Sequence, residues 1–188
     1  MAKIAYPDLS SLPPEIRARY DAGDVREHMS LRRMMRHVVS TQEHIEAMGL
    51  HFLRPNGLFT PEQREIVILT VGRLKESEYE IFHHVEICQS LGFSEEKIAS
   101  LLKGDKSHLN EFERIIVKFA EEICSDGKVS DETFQISKNV LSVRQIVELP
   151  FLVGYYIMLA GFLNTLEIDL DDRAGGTATL KIISSDVK

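Results

Sequence analysis

The chain has 188 residues, of which 44% are hydrophobic and 27% are charged, a composition typical of one globular domain with a sizeable core. Its net charge of −7 argues against a surface for nucleic acid. The N-terminus predicts no signal peptide, and the longest apolar stretch, residues 150–163, is shorter than the roughly 20 residues that span a bilayer. Cys88 and Cys124 form no Cys-x-x-Cys pair, so we expect a cytoplasmic protein without disulfides or membrane contact.

Helix signals follow one another along the chain, and no segment shows the alternation of a strand. Pro13 and Pro14 open a short helix that Gly23 closes, and a long helix is predicted over residues 25–53, before a turn at residues 54–57. Further helices are predicted from Thr60, over residues 78–91, 94–104, 110–124 and 130–140, and from Ser142 to about residue 167. The sequence therefore predicts an all-α fold, a helical bundle.

The last predicted helix carries Pro150, which we expect to kink or split it. Residues from Asp169 onward are rich in Asp, Gly and Thr and are predicted to form a mobile tail. We therefore expect one domain over residues 1–172 and a flexible tail over residues 173–188.

The segment that begins at Thr60 has a strong helix start, because Thr60 and Gln63 have the spacing of a capping box and Pro61 suits the first helical position. Residues 66–71 would suit a buried strand by propensity alone. The cap favours a helix instead, and a helix that is apolar all round belongs at the centre of a core.

The predicted helix over residues 78–91 carries an acidic residue and two histidines near its apolar stripe. The stripe consists of Ile81, Val85, Cys88 and Leu91. His84 falls within the stripe, and Glu80, four residues earlier, is its neighbour on the same face. His83 is turned by about 100° from the stripe, so we expect His84 to be partly buried and His83 to be exposed.

Glu65 lies on the inward line of the preceding helix, together with Ile68, Leu69 and Gly72. Two helices joined by a short turn pack antiparallel, so Glu65 can approach Glu80 and His84. A core histidine with a hydrogen-bonding acid explains such a pair without any function. Three ionisable groups that converge in an apolar core favour a functional site, because perturbed pKa values gather at such sites.

The segment from Glu65 to His84 resembles the carboxymuconolactone decarboxylase and alkylhydroperoxidase D-like superfamily. The peroxidase branch of this superfamily has a motif of Glu, eleven residues, Cys-x-x-Cys, three residues and His. In this chain the same spacing begins at Glu65 and ends at His84, with Ser77 and Glu80 at the two cysteine positions. The segment Glu78-Tyr79-Glu80 with His84 is similar to the decarboxylase branch. Peroxide reduction through a disulfide needs two thiols, so thiol peroxidase activity is not expected.

The resemblance extends over roughly residues 5–172 and implies an all-α subunit that assembles as a homotrimer or homohexamer. It implies a cofactor-free lyase that moves a proton on a small lactone or carboxylic acid, with an anionic small molecule as its partner. His84 would be the general acid/base, Glu80 would orient or polarise it, and Glu65 would set the charge of the site. The helix that begins at Thr60 and the last helix carry more apolar residues than one chain is expected to cover, which also predicts self-association.

Several alternatives remain open from the sequence. The scaffold can serve as a non-catalytic oligomeric binding module, with no accessible pocket beside Glu80 and His84, or can catalyse isomerisation or lactone hydrolysis. A substrate carboxylate needs a cation, and the sequence does not choose among Arg33, Arg36, Arg64 and Arg73.

A metal site is not expected. Glu80-x-x-His83 has the spacing of a di-iron bundle but lacks a second copy, and His37, His44 and His51 recur about 10.5 Å apart along one helix, too far to share an ion.

Overall fold

The computed structural model describes residues 1–54 and 58–176, and within these residues every regular element is helical, as predicted. The helices are α1 (Pro14–Asp21), α2 (Val25–His28), α3 (Ser30–Met35), α4 (Val39–Leu53), α5 (Pro61–Leu74), α6 (Glu78–Ser90), α7 (Glu95–Lys103), α8 (Glu111–Asp126), α9 (Asp131–Val140) and α10 (Val143–Leu166). Short 3₁₀ turns lie at Leu9–Ser11 and Arg36–Val38.

The starts of α5, α7, α8, α9 and α10 follow directly from local sequence. The Thr60 hydroxyl accepts a hydrogen bond from the Gln63 amide at 3.2 Å, and the Gln63 side chain accepts one from the Thr60 amide at 3.0 Å. The same reciprocal arrangement begins α8 and α10, and single serine caps begin α7 and α9. Because each cap satisfies amides that the first helical turn leaves unpaired, these starts were predictable from the sequence.

Helix α5 forms the centre of the core. Its segment 66–71 is buried on every side, and the helix packs against α6, α7, α8 and α10. Strand propensity is thus overridden by the Thr60 cap and by burial among four helices, and the predicted central position is confirmed.

The single helix predicted over residues 25–53 is wrong, because the chain forms α2, α3, a 3₁₀ turn and α4 instead. Met29 is extended, with φ −65° and ψ 131°, and the next amide, that of Ser30, donates to Oδ1 of Asp171 at 2.8 Å. Val38 breaks the helix again, at φ −136° and ψ 58°. Contacts to the far end of the chain override the local helical signal here. Residues 55–57 of the predicted turn lie outside the described residues.

Helix α10 runs without interruption past Pro150, which is exposed, so the expected split does not occur. By length and composition it is the one described helix that could cross a membrane, a test that core helices of soluble proteins also pass. The helix is 24 residues long and therefore extends beyond the apolar stretch of residues 150–163 considered from the sequence. Within the chain, 44% of the most apolar part of this helix is buried, and the helix packs against α5, α8 and α9.

After α10 the chain turns back over α6. The Asp171 carboxylate accepts hydrogen bonds from the Ser30 amide and the Tyr79 hydroxyl, and Gly175 and Gly176 are buried. The expectation of a mobile segment from Asp169 onward is therefore corrected for residues 169–176. The rest of the predicted tail, residues 177–188, lies outside the described residues.

Candidate functional site

The close approach of α6 to α5 brings the predicted residues together. A Cβ atom at Gly72 would lie 3.3 Å from Cγ1 of Ile81 and 3.7 Å from Cβ of Glu80, so glycine permits the two helices to come this near. The Ser77 amide donates to the Gly72 carbonyl at 2.8 Å and closes the turn between the helices. Glu65 consequently faces the first two turns of α6.

Glu65, Glu80 and His84 form one buried cluster. Nδ1 of His84 lies 2.6 Å from Oε2 of Glu65, and Nε2 of His84 lies 3.3 Å from Oε2 of Glu80. Glu65 is fully buried, while Glu80 is 5% and His84 is 8% exposed. The structure thus places the three residues selected from the sequence side by side, with the imidazole between two carboxyl groups.

The two acids decide the charge of His84. Burial by itself lowers the pKa of this imidazole, but the Glu65 carboxylate, its hydrogen bond, and the nearby Glu80 outweigh burial and raise the pKa to about 10. Nε of Arg64 lies 3.7 Å from the other oxygen of Glu65 and adds a second positive charge to the cluster. The raised pKa, together with an acid beside each ring nitrogen, favours the imidazolium form of His84 at neutral pH.

A cavity of about 160 Å³ opens beside this cluster. Its walls come from α2, α3, α4, α6, α10 and Gly176, and they are mainly apolar. Glu80 and His84 line it, whereas Glu65 lies behind His84. The Tyr156 ring packs edge-on against His84, with centroids 5.3 Å apart, and also lines the cavity. The buried acid therefore orients the imidazole from behind, while the cavity meets the imidazole and Glu80.

The prediction that His83 is exposed is wrong. His83 is 4% exposed and lines the same cavity as His84. Its Nδ1 accepts a hydrogen bond from the Gly175 amide at 2.9 Å, and its Nε2 lies 3.1 Å from Oδ2 of Asp171. The segment after α10 covers the face of α6 that the helical period assigns to solvent, so periodicity within α6 alone could not reveal this burial.

The arginines that line the cavity are not those considered from the sequence. Arg26 and Arg32 line it, whereas Arg33, Arg36, Arg64 and Arg73 do not. Arg32 pairs with Glu27 at 3.1 Å and with Glu46. Arg26 pairs with Asp24. Neither arginine was among the cations considered from the sequence, because the position of both depends on the unpredicted break between α2 and α3.

The two cysteines offer no redox pair in this cavity. Cys88 is fully buried one turn beyond His84, and burial raises the pKa of its thiol. Burial also raises the pKa of Cys124, on α8, and neither cysteine lines the cavity. Ser77, at the first thiol position of the motif, is buried as well. Among residues 1–54 and 58–176, no cluster of His, Cys, Asp and Glu is arranged to hold a metal ion.

No family model and no curated protein matches the chain by sequence. Solved structures with the same fold include an alkylhydroperoxidase AhpD core from Ralstonia eutropha, described as an uncharacterized peroxidase-related protein (14% identity, TM-score 0.79, 91% of this chain and 93% of that one). An uncharacterized peroxidase-related protein from a Silicibacter species is similar at 14% identity and TM-score 0.80 (93% of this chain and 94% of that one). A protein of unknown function from Agrobacterium tumefaciens is similar at 15% identity and TM-score 0.65 (73% of this chain and 94% of that one). The chain therefore has the all-helical fold of the AhpD core.

Proposed function

We propose that the protein is a cofactor-free, decarboxylase-like lyase that delivers a proton to carbon on a small carboxylic acid or lactone. The observation that carries this proposal is the position of His84, which is held between two acids at the wall of an apolar cavity. A proton donor of this kind needs no metal or organic cofactor.

In the proposed reaction, the bond between the substrate's carboxylate carbon and its α-carbon breaks. Carbon dioxide leaves, and the electron pair of that bond remains on the substrate as an enolate-like carbanion. Nε2–H of His84 delivers the proton to this carbon, and the neutral imidazole then regains a proton from solvent. Carboxylate and one solvent proton are consumed, and the protonated product and carbon dioxide are formed. Positioned proton transfer contributes about 10²–10⁴-fold to rate.

Each neighbour of His84 has a separate part in this proposal. Glu65, at 2.6 Å from Nδ1, fixes the ring and stabilises the imidazolium, while Glu80 holds the Nε2 proton at the cavity wall. The substrate's own carboxylate lies towards Arg32, which is the proposed cation of the cavity. The apolar walls favour the step in which the localised charge of the carboxylate spreads over the enolate-like carbanion as carbon dioxide leaves.

The cavity favours an enzyme over a purely structural or binding module. A module of that type was expected to bury Glu80 and His84 with no accessible pocket, whereas the two side chains line a cavity of about 160 Å³.

Thiol peroxidase activity is the second candidate, because two of the solved structures with this fold are described as peroxidase-related. Against it stand the serine and glutamate at the thiol positions and the buried, protonated Cys88.

The proposal can be tested with a panel of small lactones and unsaturated or keto acids in deuterium oxide. Nuclear magnetic resonance should detect deuterium at the carbon that loses carbon dioxide with the wild-type protein, and at least about 10²-fold less with His84→Asn. Asn keeps an amide donor near the position of Nδ1, so it preserves the contact to Glu65 while it removes the Nε2 proton. Equal labelling by both proteins, or none by either across the panel, would contradict the proposal.

A further inference from the structure

The short segment of residues 171–176, here called the C-terminal strap, forms part of the cavity wall. Gly176 lines the cavity directly. Asp171 anchors the strap at its other end: it accepts the Ser30 amide at 2.8 Å and the Tyr79 hydroxyl at 2.6 Å, and lies 3.1 Å from Nε2 of His83. These donors come from α3 and α6, so one carboxylate joins the strap to two walls of the cavity.

His83 holds the other end of the strap through its second nitrogen. The Gly175 amide donates to Nδ1 of His83 at 2.9 Å. An amide can only donate, so Nδ1 bears no proton, and the ring proton is on Nε2, beside Asp171. Nδ1 of His83 is therefore engaged in holding the strap, while its Nε2 lies 3.1 Å from Oδ2 of Asp171.

Gly176 fits its position only because it has no side chain. A Cβ atom there would lie 2.7 Å from Cδ1 of Ile87 and 2.8 Å from the backbone carbonyl oxygen of His83. The carbonyl belongs to helix α6 and cannot move as a side-chain tip can, so any larger residue displaces the strap. At the adjacent Gly175, by contrast, a Cβ atom would lie 3.8 Å from Met29, an ordinary contact distance.

We propose that the strap sets the size of substrate that the cavity accepts, with Gly176 as the specificity-determining residue and Asp171 as the positioning residue that holds the strap in place. The strap closes the cavity around a small, compact substrate, and a displaced strap widens it for bulkier acids. This role in specificity rests on the proposed function, whereas the docking of the strap does not depend on any substrate.

Two adjacent alanine substitutions test the docking directly. Gly176→Ala should release the strap, and Gly175→Ala is the matched control that adds the same methyl group without a clash. Hydrogen exchange of the Ser30 amide, which donates to Asp171, reports whether the strap is docked. We expect exchange on the order of tenfold faster in Gly176→Ala and unchanged exchange in Gly175→Ala.

Asp171→Asn provides a second variant should Gly176→Ala fail to fold, since it keeps the shape of the side chain and replaces one acceptor oxygen with a donor. It should also speed exchange of the Ser30 amide. Exchange as slow as in the wild type in both Gly176→Ala and Asp171→Asn would overturn the proposal.

The specificity part is tested with homologous substrates of increasing size. Gly176→Ala should raise the kcat/KM ratio of bulky to small substrates, mainly through KM for the small ones, while Gly175→Ala keeps the wild-type ratio. An unchanged ratio despite a released strap would overturn the specificity role. Failure of the proposed function gives a different result. In that case His84→Asn is as active as the wild type, while the hydrogen-exchange results for the strap are unaffected.

Discussion

Nδ1 of His84 lies 2.6 Å from Oε2 of Glu65, although the two residues are 19 positions apart in the chain. Since Glu65 is fully buried, this contact gives the acid its hydrogen bond and gives the imidazole a fixed orientation and charge. The same ring meets Glu80 at the cavity wall, at 3.3 Å. His84 thus contacts a fully buried acid in the core on one side and the acid at the cavity wall on the other.

His84→Asn should lower kcat by about 10²–10⁴-fold on whichever acid or lactone is turned over, because the cavity loses its proton donor. His83→Asn is the matched comparison on the adjacent position. Its side-chain oxygen can accept the Gly175 amide, so kcat should remain close to wild type while KM rises. Steady-state kinetics of the two variants separate the roles, and a larger loss of kcat in His83→Asn would reverse the assignment.

Stability should fall as pH rises from about 6.5 towards 10. The pKa of His84 in the folded protein, about 10, lies above its unfolded value of about 6.5, so its contribution is complete below the unfolded pKa and is lost as pH rises through the folded pKa. Urea denaturation at several pH values measures this. The difference in unfolding free energy between wild type and His84→Asn should shrink over this range, and a constant or growing difference would contradict the charge assigned to His84.

Neither cysteine should support turnover of an organic hydroperoxide with a dithiol donor. Burial keeps the Cys88 thiol protonated, and Cys124 lies on another helix outside the cavity. Peroxide consumption should stay at background in the wild type and in Cys88→Ser and Cys124→Ser. Turnover in the wild type that either substitution abolishes would favour the peroxidase candidate.

The protein should self-associate through the outer face of α10, with a second copy of the chain as the partner. Four apolar side chains remain exposed along this face: Val143, Val147, Phe151 and Met158. The large apolar residues of α5, in contrast, are buried within the chain except for Leu74 at its end, so of these two helices α10 supplies the exposed apolar face. Light scattering at micromolar concentration should give a mass that is a multiple of 21.4 kDa.

Phe151→Glu should shift that mass towards the monomer, because it places a charge at the centre of the exposed face. Phe134→Glu, at an exposed phenylalanine of α9, is the matched control and should leave the mass unchanged. A wild-type protein that is monomeric at this concentration would contradict the prediction.

The features that were predicted correctly from the sequence depend on interactions between residues close together in the chain. The caps at Thr60 and Ser142 fix helix starts within a few residues, and the 3.6-residue period places Glu80 and His84 on one face. Their convergence with Glu65 also followed, because two helices joined by a short turn pack closely.

The features that sequence did not reveal depend on contacts between distant parts of the chain. Asp171 lies 141 positions from Ser30 and 92 from Tyr79, and no periodicity within α3 or α6 reports its presence. The burial of His83 and the break at Met29 both arise where this segment returns. The composition of this segment, rich in Asp and Gly, therefore predicted a mobile tail. In the structure these residues supply the carboxylate and the small size that a tightly packed strap needs.

The charge state of His84 is the central claim, and the ¹⁵N spectrum of the histidine side chains tests it most directly. His84 should show protons on both nitrogens at pH 8, and these signals should disappear in His84→Asn. In Glu65→Gln the same histidine should titrate at lower pH, because the carboxylate that raises its pKa is gone. A neutral His84 at pH 8 in the wild-type protein would contradict the account.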